Sequence, residues 1–489
     1  MSARRDERPC PPGDYPVVVV GSGPGGLQVS YSLSRLGVEH AVVSADEEPG
    51  GMFRLYPIFQ RLLSWSKPDA PAERGTRAYE WFDHNSLLAD EPENRALVPQ
   101  FMDRAFVVPS RQEMEQGLAA FAERAPVRVR YGCRWQATRR TDDGRLVLTT
   151  TDGEYRCRAA VFAVGVTTPW RSPIPGIEDV PHYVECGEPP AYRGRRVFVI
   201  GKRNSGFEIA DGLLPWARQV ILGSPRPVQA SVIALSTVRV RYLQPYEDFG
   251  LGGGTFALDL AVERIERLGE GWRIVAQGTT RPGPIELEVD DVLAATGFAA
   301  PLLDLPALGV RTVAQGRIPA LTPYWESAPG SGIYFAGNTT QGAAGLRKHG
   351  VGSSSAAVHG FRYNARLMAG HLAATQLGVQ PPEERVDPDD LVPYLLEEVS
   401  SAPELWAQKS YLARAVDEDG RARIVPLAHW LDEPGSRSVA VAVEMNAAGD
   451  VYPAVYVGRD GNVKELLLPP HQLNDFRGAE YERELRAAL

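Results

Sequence analysis

At 489 residues, with 44% hydrophobic and 23% charged side chains, the chain has the composition of an ordinary soluble globular protein and exceeds what one core holds, so two or three domains are expected. A formal net charge of -9 speaks against nucleic acid as the main partner, and no apolar run approaches the ~20 residues needed to span a bilayer. The four cysteines, Cys10, Cys133, Cys157 and Cys186, are widely spaced and form neither a C-x-x-C pair nor a zinc pair, so free thiols in a reducing cytoplasm are expected, with no metal site.

The polar, Pro-rich residues 1–14 read as a loose arm. "YPVVVVGSGPGGLQVSYSLSRLG" (15–37) is a buried-strand pattern, a glycine turn and an amphipathic helix, and 38–45 a second strand. Residues 53–110 are irregular and rich in aromatics, Pro and Arg, and an excursion of that length tends to be functional. Ser110 with Glu113 predicts a capping box on a helix running to about Arg124. Residues 127–165 alternate as strands with Asp-Gly turns, and a second strand–turn–helix opens at Arg196. Strands follow at 271–278, 285–298 and 332–338, and 353–378 predicts a long helix with serine caps and a C-terminal glycine. Residues 379–390 read as a linker, and 391–489 as a helical stretch followed by a small β-meander.

Gly21, Gly23, Pro24, Gly25 and Gly26 follow a strand and open a helix. That context lets backbone approach a pyrophosphate while the helix N-terminus supplies N–H groups and partial positive charge. The acid expected at the end of the next strand is missing: Ser44 stands there, with Asp46 two residues on. Gly50, Gly51, Met52 and Phe53 come one short loop later.

With those residues the chain resembles the two-dinucleotide flavin-dependent monooxygenases (class B). "GGMFRLYP" is similar to that family's glycine–aromatic region, "AAVFAVGVTTPW" (159–170) and "DVLAATGF" (291–298) to its two interdomain crossings, and "GIYFAGN" (332–338) to its second flavin-contacting strand. The matches keep the family's order over roughly residues 15–375. The resemblance implies FAD at the first turn, with Gly337 and Asn338 as further contacts. It implies NADPH at the second, where Gly201, Lys202, Asn204, Ser205 and Gly206 fit a G-N-S-G form. Arg203 departs from the pattern at the middle glycine: its side chain either pushes a pyrophosphate away or pairs with phosphate oxygens. Ser224 and Arg226 sit where a 2′-phosphate would lie, which favours NADPH over NADH.

The implied architecture is α/β: two Rossmann-like dinucleotide-binding domains plus a small C-terminal α+β extension. The FAD domain is discontinuous (15–165 and 290–378), the NADPH domain inserted (166–289), and 391–489 is left to cover the cleft or to build a homodimer interface. A reduced flavin could pass electrons to a disulfide, a quinone or oxygen; without a cysteine pair a disulfide reductase fails, and oxygen is taken as the default acceptor. The resembling family transfers one oxygen atom from a flavin C4a-hydroperoxide. The catalytic candidates are Lys67 and Asn204. Arg239, Arg241, Arg347, Lys348 and His349 are cations suited to an anionic substrate. The expectation is N-hydroxylation of a small carboxylate-bearing amine, an amino acid such as aspartate, with O2 as co-substrate. Baeyer–Villiger or sulfur oxygenation is one alternative and a flavin-binding redox sensor another. His182 without the full surrounding spacing weighs against the Baeyer–Villiger reading.

Overall fold

Four consecutive valines, Val17–Val20, form the centre of a parallel sheet and are almost wholly buried. β-Branched side chains pack well on a pleated surface, and a strand covered on both faces needs no polar alternation. The computed structural model describes residues 7–55, 60–228, 254–345, 353–446 and 448–489. Two units result: the described residues of Met1–Gly51, Ser64–Val166 and Ala300–Leu489, and those of Met52–Leu63 and Thr167–Ala299.

In chain order, the elements that matter are β1 (Val17–Val20), α1 (Pro24–Arg35), β2 (His40–Val43), α2 (Arg111–Arg124), β3 (Val129–Arg130) and β4 (Ala159–Phe162). The second unit adds β5 (Arg196–Ile200), α3 (Asn204–Leu213), β6 (Gln219–Ser224), β7 (Thr255–Leu268), β8 (Gly271–Gly278), β9 (Gly283–Val289) and β10 (Asp291–Ala294). The first unit resumes with β11 (Ile333–Phe335), α4 (Val358–Leu377), α5 (Leu391–Ser401) and α6 (Pro403–Ala407).

The first unit's five-stranded sheet has the order β11-β4-β1-β2-β3, all parallel. The second unit's six-stranded sheet has the order β9-β8-β7-β6-β5-β10. Its β7, β6, β5 and β10 run parallel, and β8 and β9 return antiparallel. Each parallel set is thus an α/β dinucleotide-type sheet with a strand–turn–helix at its centre. The sequence 391–489, together with the edge strand Glu384–Arg385, builds a six-stranded antiparallel sheet covered by helices, and it belongs to the first unit. Among the described residues no helix is long and apolar enough to cross a membrane.

Ser110 caps α2, accepting from the Glu113 amide at 3.2 Å while the Glu113 carboxylate takes the Ser110 N–H at 2.6 Å. The serine-capped helix expected from residue 353 is corrected. α4 begins at Val358 with Ala357 as its uncapped start, and Ser355 is fully buried in a polar chain with other work. The expected C-terminal glycine is in place, Gly378 having a left-handed φ of 71°.

Candidate functional site

The first turn, in the first unit, is shaped by what glycine lacks. Gly21 has φ +109°, and a Cβ there would lie 2.5 Å from the Ala163 carbonyl oxygen. A Cβ on Gly26 would meet the Gly21 carbonyl. A Cβ on Gly25 would lie 2.5 Å from Gly337 Cα, so the end of β11 presses directly on the first turn of α1. Gly23 differs: its backbone is extended (φ −71°, ψ −179°), and the space its Cβ would fill is open. Glycine at this position is a matter of room for an approaching group. Pro24 occupies N1, and the first helical bond runs from the Leu27 amide to the Gly23 carbonyl at 3.1 Å. The earlier amides, Gly25 and Gly26, precede that bond and are the donors an anion would use.

Around that cradle, the Ser22 hydroxyl donates to the buried Ser44 hydroxyl at 2.9 Å, and the Asp46 amide donates to Ser44 Oγ at 3.2 Å. Ser44 is therefore held within the protein. The Asp46 carboxylate lies beside Gly51, where a Cβ on Gly51 would collide with it. The Gly50 amide reaches the Ser22 carbonyl at 3.4 Å. Residues Gly51–Leu55 form a short 3-10 turn that includes Met52 and the buried Phe53. Asn338 follows Gly337, and its Oδ1 is buried with no donor among the described residues. An open middle position, free helix-start amides and an orphaned acceptor at the same strand end fit a dinucleotide with a donor-bearing chain.

The second turn, in the second unit, repeats the first at its first and last glycines. The Gly201 amide donates to the Gly223 carbonyl at 2.8 Å, as the Gly21 amide does to Val43. Gly201 has φ +125°, with a Cβ position 2.5 Å from the Ala295 carbonyl, and a Cβ on Gly206 would meet the Gly201 carbonyl. Arg203 replaces Gly23 in the same extended conformation (φ −108°, ψ −170°), so its backbone is unstrained and its side chain is exposed. Asn204 and Ser205 begin α3, half-buried; Ser224 ends β6 half-buried, and Arg226 is exposed beyond it. Lys202 is turned away: its ammonium is buried against Asp259. The crossing segments pair in a short ladder, Thr168–Pro169 with Phe298–Ala299, and His182, wholly buried, bonds the Gly297 carbonyl at 2.9 Å. Burial holds its imidazole below the usual pKa, which marks a core histidine.

Lys67 is exposed and lines an open groove of about 740 Å³ with Arg74, Tyr79 and Arg104. Behind it the irregular segment is knotted: the Ser66 hydroxyl (2.5 Å) and the amides of Asn85 (3.0 Å) and Ser86 (3.1 Å) all donate to Asp83 Oδ1. The fully buried Arg362 of α4 clamps it, donating to the Ser86 carbonyl at 2.8 Å and the Glu80 carbonyl at 3.2 Å. Arg239, Arg241, Arg347, Lys348 and His349 lie outside the described residues. Among the described residues no group of three His, Cys, Asp or Glu could hold a metal ion.

A family model described as pyridine nucleotide-disulphide oxidoreductase matches residues 18–337. The chain belongs to that family. All four cysteines of this oxidoreductase are free. Burial pushes the Cys10, Cys157 and Cys186 thiols up, Cys157 to about 12, away from the thiolate that disulfide chemistry needs. The oxidoreductase is 27% identical over 450 residues to the FAD-dependent oxidoreductase domain-containing protein 2 of Danio rerio, a match covering 78% of this chain but only 62% of that relative's length. It is 29% identical over 303 residues to a ferredoxin–NADP reductase of Salinispora arenicola, covering 60% of this chain and 77% of the relative. A flavin-containing monooxygenase from Stenotrophomonas maltophilia shares the fold, with a TM-score of 0.55 at 21% identity over 74% of this chain and 98% of that one.

Proposed function

We propose that the chain is an FAD- and NADPH-dependent monooxygenase that hydroxylates the amine nitrogen of a small polar, carboxylate-bearing molecule, an aspartate-like amino acid in the preferred form. FAD would be held by the helix-start amides of α1, by Asn338, and by Asp46, whose turn Ser44 fixes. NADPH would lie at the start of α3, with Arg203 and Arg226 toward its phosphates. FAD, when bound, supplies the redox and oxygen chemistry; the chain binds and orients the reactants and keeps water from them.

The observation that carries the reading is two matched cradles in a chain whose cysteines are all free. Electrons entering from NADPH have no thiol pair to reach, which leaves oxygen as the acceptor that needs no further protein group. The balance is NADPH, a proton, O2 and the amine giving NADP+, water and the hydroxylamine. The amino-acid preference rests on the cations of residues 239–241 and 347–349. A second reading, electron delivery to an iron–sulfur protein, is favoured by the likeness to the Salinispora reductase.

FAD-loaded protein incubated with NADPH, O2 and separate panels of amino acids, ketones and thioethers tests this by product mass and by the ratio of product to NADPH consumed. N-hydroxylated product approaching one per NADPH supports it. Product from ketones or thioethers alone moves the assignment to those substrates. Peroxide alone with every panel, together with rapid ferredoxin reduction, establishes the second reading instead.

A further inference from the structure

At the carboxyl edge of the second sheet, two charges face each other where adenosine binding is expected. β7 runs parallel to β6 up to the pair Ser224↔Asp259 and turns to antiparallel pairing with β8 from Leu260 onward. Asp259 is therefore the last residue of the parallel ladder, one strand beyond Ser224. In open α/β sheets the adenosine ribose lies outside the end of the strand that follows the turn's helix, here Ser224 of β6, beside which Asp259 stands in the ladder; an acid there accepts the free ribose diol, and cations accept a 2′-phosphate. Asp259 is 22% exposed at its side chain, so its carboxylate reaches that edge.

The carboxylate is not bare. Lys202, next after Gly201 in the turn, has a side chain only 1% exposed and pairs with Asp259 Oδ1. The Thr280 hydroxyl donates to Oδ2 at 2.7 Å, and the Thr279 hydroxyl ties the same loop to the Pro225 carbonyl at 2.6 Å. Burial opposes the charge on Asp259, yet the Lys202 ammonium and the Thr280 hydroxyl hold its carboxyl below the usual range. An ammonium engaged this way is not extended toward a phosphate.

We propose that Lys202 determines nucleotide choice through Asp259: by neutralising a carboxylate on β7, it lets the site accept a 2′-phosphate that a bare Asp259 would repel. The inference rests on the NADPH reading above. Lys202 is a positioning residue here, acting through another side chain.

The test is equilibrium dialysis of NADP+ and NAD+ against FAD-loaded wild type, Lys202→Met and Lys202→Met/Asp259→Asn. Lys202→Met is expected to move the NADP+/NAD+ affinity ratio toward NAD+ by about tenfold or more. The double variant, which buries no lone charge and so keeps the test usable should Lys202→Met fail to fold, is expected to hold the wild-type ratio within about threefold. A double variant that loses the NADP+ preference by about tenfold overturns the inference, since Lys202 would then contact phosphate itself. A folded Lys202→Met with an unchanged ratio overturns it as well. Wild type that prefers NAD+, or binds neither nucleotide, refutes the NADPH reading instead.

Discussion

At the scale of single residues, Gly23 and Arg203 occupy the same place in two matching turns, and both are extended. The difference between them is space and charge, since neither position asks for a glycine backbone. Arg203→Gly is therefore expected to leave FAD content unchanged. If the guanidinium pairs with phosphate, the change removes a charge-assisted bond of about 1.5–3 kcal/mol and weakens NADPH at least tenfold by titration of nucleotide fluorescence. Tighter NADPH binding would make the arginine an obstruction. Gly25→Ala is a different kind of change. Its Cβ meets the Gly337 backbone, which cannot swing aside. Overpacking of about 1–3 kcal/mol and a purified protein depleted of flavin, read from the ratio of visible to 280 nm absorbance, are expected.

At the scale of elements, the loop before α4 is governed by a buried polar chain. Gln408, just past α6, donates through Nε2 to Ser355 Oγ at 3.0 Å and to Asn364 Oδ1 at 2.5 Å. Asn364 donates to Thr340 Oγ1 at 3.1 Å, and Thr340 donates to the Gly337 carbonyl at 2.7 Å. All four side chains are fully buried, so the C-terminal sheet is fastened to the glycine that presses on α1. Gln408→Leu strands those partners. A loss of about 1–3 kcal/mol in urea titration is expected, with weaker FAD retention on gel filtration. A second element-scale expectation concerns His371 of α4, stacked on Tyr324 at 3.8 Å. Burial, with the nearby His429, lowers its pKa to about 4 against an unfolded value of ~6.5. The unfolded chain then binds the extra proton first, so this contribution is present above pH ~6.5 and is lost as pH falls toward 4. The urea midpoint is expected to drop between pH 7.5 and 5, and to drop less in His371→Phe.

At the scale of the whole molecule, a family described by disulphide chemistry is represented here by a chain whose thiols are all unpaired. Replacing all four cysteines by alanine is expected to leave NADPH-driven oxygen uptake unchanged; loss of turnover in a protein that still binds FAD would return a thiol to the reaction. Much of the molecule was legible beforehand, and for one reason. A strand of valines, a glycine turn and a capped helix are decided by residues within about one turn of each other, so both cradles, the Ser110 cap and the β-meander could be read in order. The serine caps of α4 misled because Ser355 follows a partner 53 residues away, Gln408, in preference to its own helix. The partner of Lys202 was hidden for the same reason: Asp259 is 57 residues on, in a strand whose register is set by sheet pairing. What the amino-acid order determined alone was therefore the two glycine turns between strand and helix. Only the tertiary structure decided which polar groups at those cradles are already satisfied, because burial makes a hydrogen bond compulsory while leaving open which distant residue supplies it.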